Sequence, residues 1–180
     1  MILADKTVLR NMICMVGIWV SASFGYYLIS YQLKYLKGDL YLNGAMSSIS
    51  EVVCYLISGF LQAKFGFRRV LVIAFCVSLV FMLVLTFVEI DSNAVLSLII
   101  LSCKGGVSMG FNLAYLGNAQ FFPVSIVATS YGICSFVARV FTIFSPYIAE
   151  IKPQEIPQLF FVVFCGVAMV AGIFLKPPSK

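Results

Sequence analysis

The sequence predicts an all-α membrane protein of six transmembrane helices in a single domain, residues 1–180. Three observations carry that prediction. The chain is 62% hydrophobic and 11% charged, with a mean hydropathy of +1.04, whereas a soluble domain is about half apolar and a quarter charged. Its apolar residues gather into six runs, each near the ~20 residues that cross a bilayer as a helix. The runs are continuous rather than alternating, which excludes barrel strands. A helix also satisfies its own backbone in hydrocarbon.

The elements follow in order. The first span, 11–33, carries the only tryptophan, Trp19. It is too long for a cleaved signal peptide, lacks a small-residue cleavage site and is followed at once by further spans. The start Met1-Ile2-Leu3-Ala4-Asp5-Lys6 lacks the Arg- and Ser-rich character of a transit peptide. The second span, 40–62, contains one acid, Glu51. The third, 70–88, has no charge. The fourth, 95–116, contains Lys104, and the fifth, 124–147, contains Arg139. The sixth, 159–175, is short and draws on its flanks to span.

Basic residues in the loops set the orientation. Seven of them (Lys6, Arg10, Lys64, Arg68, Arg69, Lys176 and Lys180) fall on one side, and three (Lys34, Lys37 and Lys152) on the other. Both termini are therefore expected on the positive-inside face, which is cytosol, or matrix for a mitochondrial inner membrane. The acidic loop Glu89-Ile90-Asp91 falls on the opposite side, while Lys34 and Lys37 count against the assignment.

Composition also removes function classes. There is no histidine, so the commonest general base and metal ligand is missing. The six cysteines (Cys14, Cys54, Cys76, Cys103, Cys134 and Cys165) are dispersed without a Cys-x-x-Cys pair and read as reduced packing residues. No nucleophile–base set, metal set or cofactor motif is present, so neither an enzyme nor a cofactor is expected. Basic residues occur singly between apolar runs, which argues against nucleic acid. Bound lipid, anionic headgroups included, is the expected small partner.

Glu51, Lys104 and Arg139 are the candidate binding residues. A charge at mid-membrane costs about 2.5–3.5 kcal/mol on insertion scales, so each should face protein or water and be paired. Glu51 can pair well with only one base. The bland alternative is an ion pair that fixes helix register, or snorkelling near a span end. The functional alternative is a charged substrate, most simply an anion on Arg139, whose planar fork suits carboxylate or phosphate. Gly106 and Gly110 form a Gly-x-x-x-Gly that favours close helix packing, with a hinge in a moving helix as the alternative. The aromatic residues read mostly as lipid-facing and interfacial filler.

Several segments, in order, resemble the second half of an organic ion transporter of the major facilitator superfamily. Gly38-Asp39-Leu40-Tyr41-Leu42-Asn43, followed by Glu51, resembles the entry to that family's eighth helix. Lys64-Phe65-Gly66-Phe67-Arg68-Arg69 resembles its Asp-Arg-x-Gly-Arg-Arg loop. Lys104, Phe111-Asn112 and Tyr115-Leu116 resemble the tenth helix, and Ala119-Gln120-Phe121-Phe122-Pro123 the Ala-Glu-Leu-Phe-Pro signature. Gly132-Ile133-Cys134-Ser135-Phe136-Val137-Ala138-Arg139, ending in Pro146, resembles the eleventh helix.

The resemblance implies half of a major facilitator superfamily bundle, two such halves rocking about a central cavity. It implies that the position of Arg139 faces the cavity, a base there going with anionic or zwitterionic substrates. The chain departs from the pattern at the cytoplasmic gate. Ala63 replaces the expected Asp, Phe67 an Arg, Gln120 the Glu and Val127 a further Arg, and Leu175-Lys176-Pro177-Pro178 replaces Leu-Pro-Glu-Thr. The remaining gate residues Lys64, Gly66, Arg68 and Arg69 then lack acidic partners in that network.

On this reading the chain begins where the seventh helix would, and the first half is expected elsewhere. Two functions are therefore expected. The first is a non-transporting accessory subunit among other membrane protein subunits, such as a respiratory complex of the mitochondrial inner membrane. The second is a transporter of organic anions or zwitterions, working as a homodimer or with a separate first half-bundle.

Overall fold

A computed structural model describes residues 6–32, 40–88, 92–153 and 155–176. They form α1 (Lys6–Gln32), α2 (Leu40–Phe65), α3 (Phe67–Phe87), α4 (Asn93–Phe121), α5 (Val124–Thr142), α6 (Ser145–Ala149) and α7 (Glu155–Phe174), with no strand among the described residues. Six helices are long and apolar enough to cross a membrane, α5 and α6 counting together as Val124–Ala149. Lys34, Lys37, the segment Gly38-Asp39, the loop Glu89-Ile90-Asp91 and the residues from Pro177 onward lie outside the described residues, as do Met1 to Asp5.

The helices outrun the apolar runs at their polar ends. α1 begins at Lys6 and α2 continues through Lys64 to Phe65, because long basic side chains carry their charge to the interface while the backbone stays helical. α7 begins at Glu155, four residues before the apolar run, with that acid in the first turn, where it complements the helix dipole.

The fifth span differs in kind, since it is not one helix. Pro146 lacks an N–H and its ring excludes the carbonyl four residues earlier. α5 accordingly stops at Thr142, tightens through a Phe144 N–H to Phe141 carbonyl bond of 3.1 Å, and restarts as α6 with the proline in its first turn.

α1 is the centre of the bundle. It packs on α4, α5 and α7, and α3 packs on α4 and α7. In its spanning window 72% of residues are buried inside the bundle, through Met15, Ile18, Ala22, Phe24, Leu28 and Ile29, against 11% for α2 and 17% for α5. α2 touches mainly α4, leaving Ile49, Val52, Leu56 and Phe60 on an exposed face, as Phe136 and Val140 are on α5.

Two glycine positions shape this packing. A Cβ at Gly106 would lie 2.6 Å from the Ala74 carbonyl oxygen and would also strike Ser78 Oγ, and one at Gly110 would lie 2.6 Å from the Phe75 ring. The α3–α4 crossing is therefore as close as the Gly-x-x-x-Gly implies. Ser78 Oγ donates across it to the Cys103 carbonyl at 3.0 Å. Gly66 is the single residue between α2 and α3, at φ +85°, a conformation L side chains avoid.

Candidate functional site

The three ionisable side chains within the spans separate into two sets. Lys104, 5% exposed on α4, places Nζ 2.6 Å from Glu51 Oε1 on α2 and donates to Ser47 Oγ at 2.5 Å. The other carboxylate oxygen accepts the Tyr26 hydroxyl at 3.0 Å, and Nζ lies 5.3 Å from the Tyr26 ring centroid. One carboxylate, one ammonium, two hydroxyls and a ring face thus close on themselves. Beside this set, Asn112 Nδ2 donates to Ser58 Oγ at 2.7 Å and continues the α2–α4 contact.

Arg139 is not in that set. It is exposed, and among the described residues it forms no ion pair and donates no side-chain hydrogen bond. It lines a cleft of about 400 Å³ together with Trp19, Tyr27, Phe111, Tyr115 and Pro146. Ser23, Tyr31, Ser135 and Thr142 complete the polar lining. The break before Pro146 comes one turn beyond Arg139, and Thr142, Ile143 and Pro146 around it line the cleft as well.

The walls are aromatic. The Trp19 and Tyr115 ring centroids are 4.5 Å apart, Trp19 and Tyr131 meet edge-on at 5.1 Å, and Phe111 and Tyr115 at 5.1 Å. Trp19 is fixed by its indole N–H, which donates to the Ala114 carbonyl at 3.1 Å. Tyr26 stacks on Phe111 at 5.6 Å, so the closed ion pair is the floor neighbour of the arginine cleft.

These rings are exceptions to the reading of the aromatics as mostly lipid-facing and interfacial filler. Phe60, Phe87 and Phe136 do point outward, but Trp19, Phe111 and Tyr115 build the cleft. Its signal lay in spacing rather than composition. Trp19, Ser23, Tyr27 and Tyr31 recur every fourth residue, as do Phe111 and Tyr115, and Ser135 and Arg139, which places each set on one helix face.

The gate positions lie at the far end. Ala63, Lys64, Gly66, Arg68, Arg69 and Gln120 are exposed and Val127 is half-buried. Lys64 Nζ sits 5.5 Å from the Phe65 ring, and the Arg68 guanidinium donates to the Ile173 carbonyl. Among the described residues none of the three basic gate side chains forms an ion pair. No group of three or more Cys, Asp or Glu that could hold a metal occurs among the described residues.

No family model matches the chain. Solute carrier family 22 member 15-like of Xenopus laevis is 29% identical over 174 residues, 93% of this chain and 36% of that protein. Solute carrier family 22 member 4 of Mus musculus is 28% identical over 132 residues, 73% of this chain and 24% of the relative. Organic cation/carnitine transporter 2 of Homo sapiens is 25% identical over 130 residues, 72% of this chain and 23% of the relative.

The chain is homologous to organic ion transporters of the major facilitator superfamily. Its six apolar helices fit half of such a bundle and make it an integral membrane protein. It spans about a third of the length of the solute carrier family 22 member 15 and 15-like relatives it matches. These relatives are transporters rather than enzymes. None of them supports an accessory respiratory subunit or a mitochondrial membrane.

Proposed function

We propose that this chain forms one half of the pathway of an organic ion transporter, and that the Arg139 cleft binds the substrate. The observation that carries the reading is an unpaired guanidinium in an aromatic cleft beside a carboxylate that is already engaged. Arg139 offers a planar, permanently charged fork for a carboxylate. The faces of Tyr115 and Phe111 offer the negative quadrupole that attracts an organic cation, and the buried Trp19 backs Tyr115. A zwitterion carrying a carboxylate and an alkylated ammonium satisfies both, and organic anions satisfy the first. The name of one relative couples organic cations with carnitine, itself a zwitterion of this kind.

The exposed faces of α2 and α5 supply the complement. A half-bundle with 11% and 17% of those windows buried has room for a second bundle across the cleft, in another chain or in more of the same polypeptide. The neutral gate residues Ala63 and Gln120 argue for a weaker latch between the two access states, not for loss of the site.

The test is binding of a radiolabelled carboxylate-bearing quaternary ammonium to the purified chain in detergent, followed by uptake into liposomes. Arg139→Gln should weaken binding about tenfold or more, as loss of a charged hydrogen bond of roughly 1.5–3 kcal/mol requires. Binding unaffected by Arg139→Gln would refute the assignment of the cleft.

A further inference from the structure

On the side of the bundle formed by α1 and α7, those helices leave an apolar groove of about 650 Å³ between them. Ile13, Gly17, Gly166, Val167, Val170 and Phe174 form its walls, and Arg10 stands at one end. The glycines make the groove. A Cβ at Gly166 would meet nothing within 4 Å, and one at Gly17 would come no nearer than 3.8 Å to Val167 and Ala171.

The end of the groove is built and charged. Asn11 accepts the Lys176 N–H at 3.1 Å and donates its amide to the Lys176 carbonyl at 2.8 Å, which ties the end of α7 beside Arg10. Arg10 Nε and Nη2 are buried there without an acceptor. On the other flank of α7, Arg68 stands at a similar apolar cleft, but its guanidinium already donates to the Ile173 carbonyl. Arg69 lines that cleft as well, and both of its arginines are exposed to solvent, whereas Arg10 keeps Nε and Nη2 buried without an acceptor, which an anion would supply.

We propose that the α1–α7 groove holds an acyl chain of an anionic phospholipid whose phosphate is bound by Arg10. The apolar groove accounts for the chain, and the arginine at its interfacial end accounts for the headgroup.

Native mass spectrometry of the whole chain, offered equal amounts of phosphatidylglycerol and phosphatidylcholine, tests the assignment. Phosphatidylglycerol should be retained preferentially. Arg10→Gln should lower its affinity about tenfold and erase the preference, the size set by one hydrogen bond to a charged group. Gly166→Leu projects a side chain into the groove from a position where a Cβ meets nothing within 4 Å, and should weaken both lipids. Lys152→Gln, exposed in the α6–α7 connection and outside the groove, should change neither. Retention of the preference in Arg10→Gln, or of both lipids in Gly166→Leu, overturns the proposal. Displacement of the lipid by glycerol phosphate alone overturns it too, since the acyl chain would then contribute nothing.

Discussion

Removing the Glu51 carboxylate should unfold this bundle more readily than removing both members of its ion pair. Lys104 is 5% exposed and has three neighbours at its ammonium: Glu51 at 2.6 Å, Ser47 Oγ at 2.5 Å and the Tyr26 ring at 5.3 Å. Glu51→Ala leaves a buried cation with a hydroxyl and a ring face, and the Tyr26 hydroxyl loses its acceptor. Breaking one side of a buried pair costs about 3–5 kcal/mol. For a chain of this length about 2–4 °C accompanies each kcal/mol, so the melting temperature should fall by roughly 6–20 °C. Glu51→Gln should cost less, because an amide oxygen still accepts from Lys104. The pair Glu51→Gln with Lys104→Met should return to within about 1 kcal/mol of the parent, since it leaves no unpaired buried charge and the amide oxygen still accepts from Tyr26.

The chain carries its own reporter for this measurement. Cys103, Cys134 and Cys165 are buried, so a thiol-reactive fluorophore in detergent reads their exposure on heating. A fall below about 2 °C for Glu51→Ala, or a double variant no better than the single one, would refute the reasoning. The pair would then be solvated and contribute little.

Further expectations concern backbone and cleft. Gly106→Val should destabilise by about 1–3 kcal/mol through overpacking at the α3–α4 crossing, while Gly132→Ala, whose Cβ meets nothing within 4 Å, should be neutral or slightly stabilising; the same thermal assay compares them. Gly66→Ala should cost about 1–3 kcal/mol because φ +85° with ψ 150° is a region that essentially only glycine occupies, read as a lower melting temperature with ligand binding preserved. Arg139→Lys should retain charge but lose the bidentate fork, giving ligand affinity between those of the parent and Arg139→Gln. Tyr115→Leu should weaken a quaternary ammonium ligand by about 0.5–2 kcal/mol and leave a simple carboxylate unchanged.

The amino-acid sequence by itself determined the class of the protein and most of its helices. Long apolar runs can satisfy their backbone in hydrocarbon only as helices, so composition fixes secondary structure far more tightly than in a soluble chain. The Gly106–Gly110 contact was legible for a related reason, since only glycine admits that approach. The interruption at Pro146 followed from chemistry present in the sequence but hidden by hydropathy, which is blind to a missing N–H.

What only the tertiary structure decided is which charges meet and which stay apart. Lys104 and Arg139 carry the same positive charge on paper, and no periodicity says which reaches Glu51. The α2–α4 contact brings Lys104 to it, while α5 turns Arg139 into the cleft. The aromatic walls escaped for the same reason. A tyrosine or tryptophan in an apolar run suits lipid, core or ligand alike, and helix packing alone assigns it to one of the three.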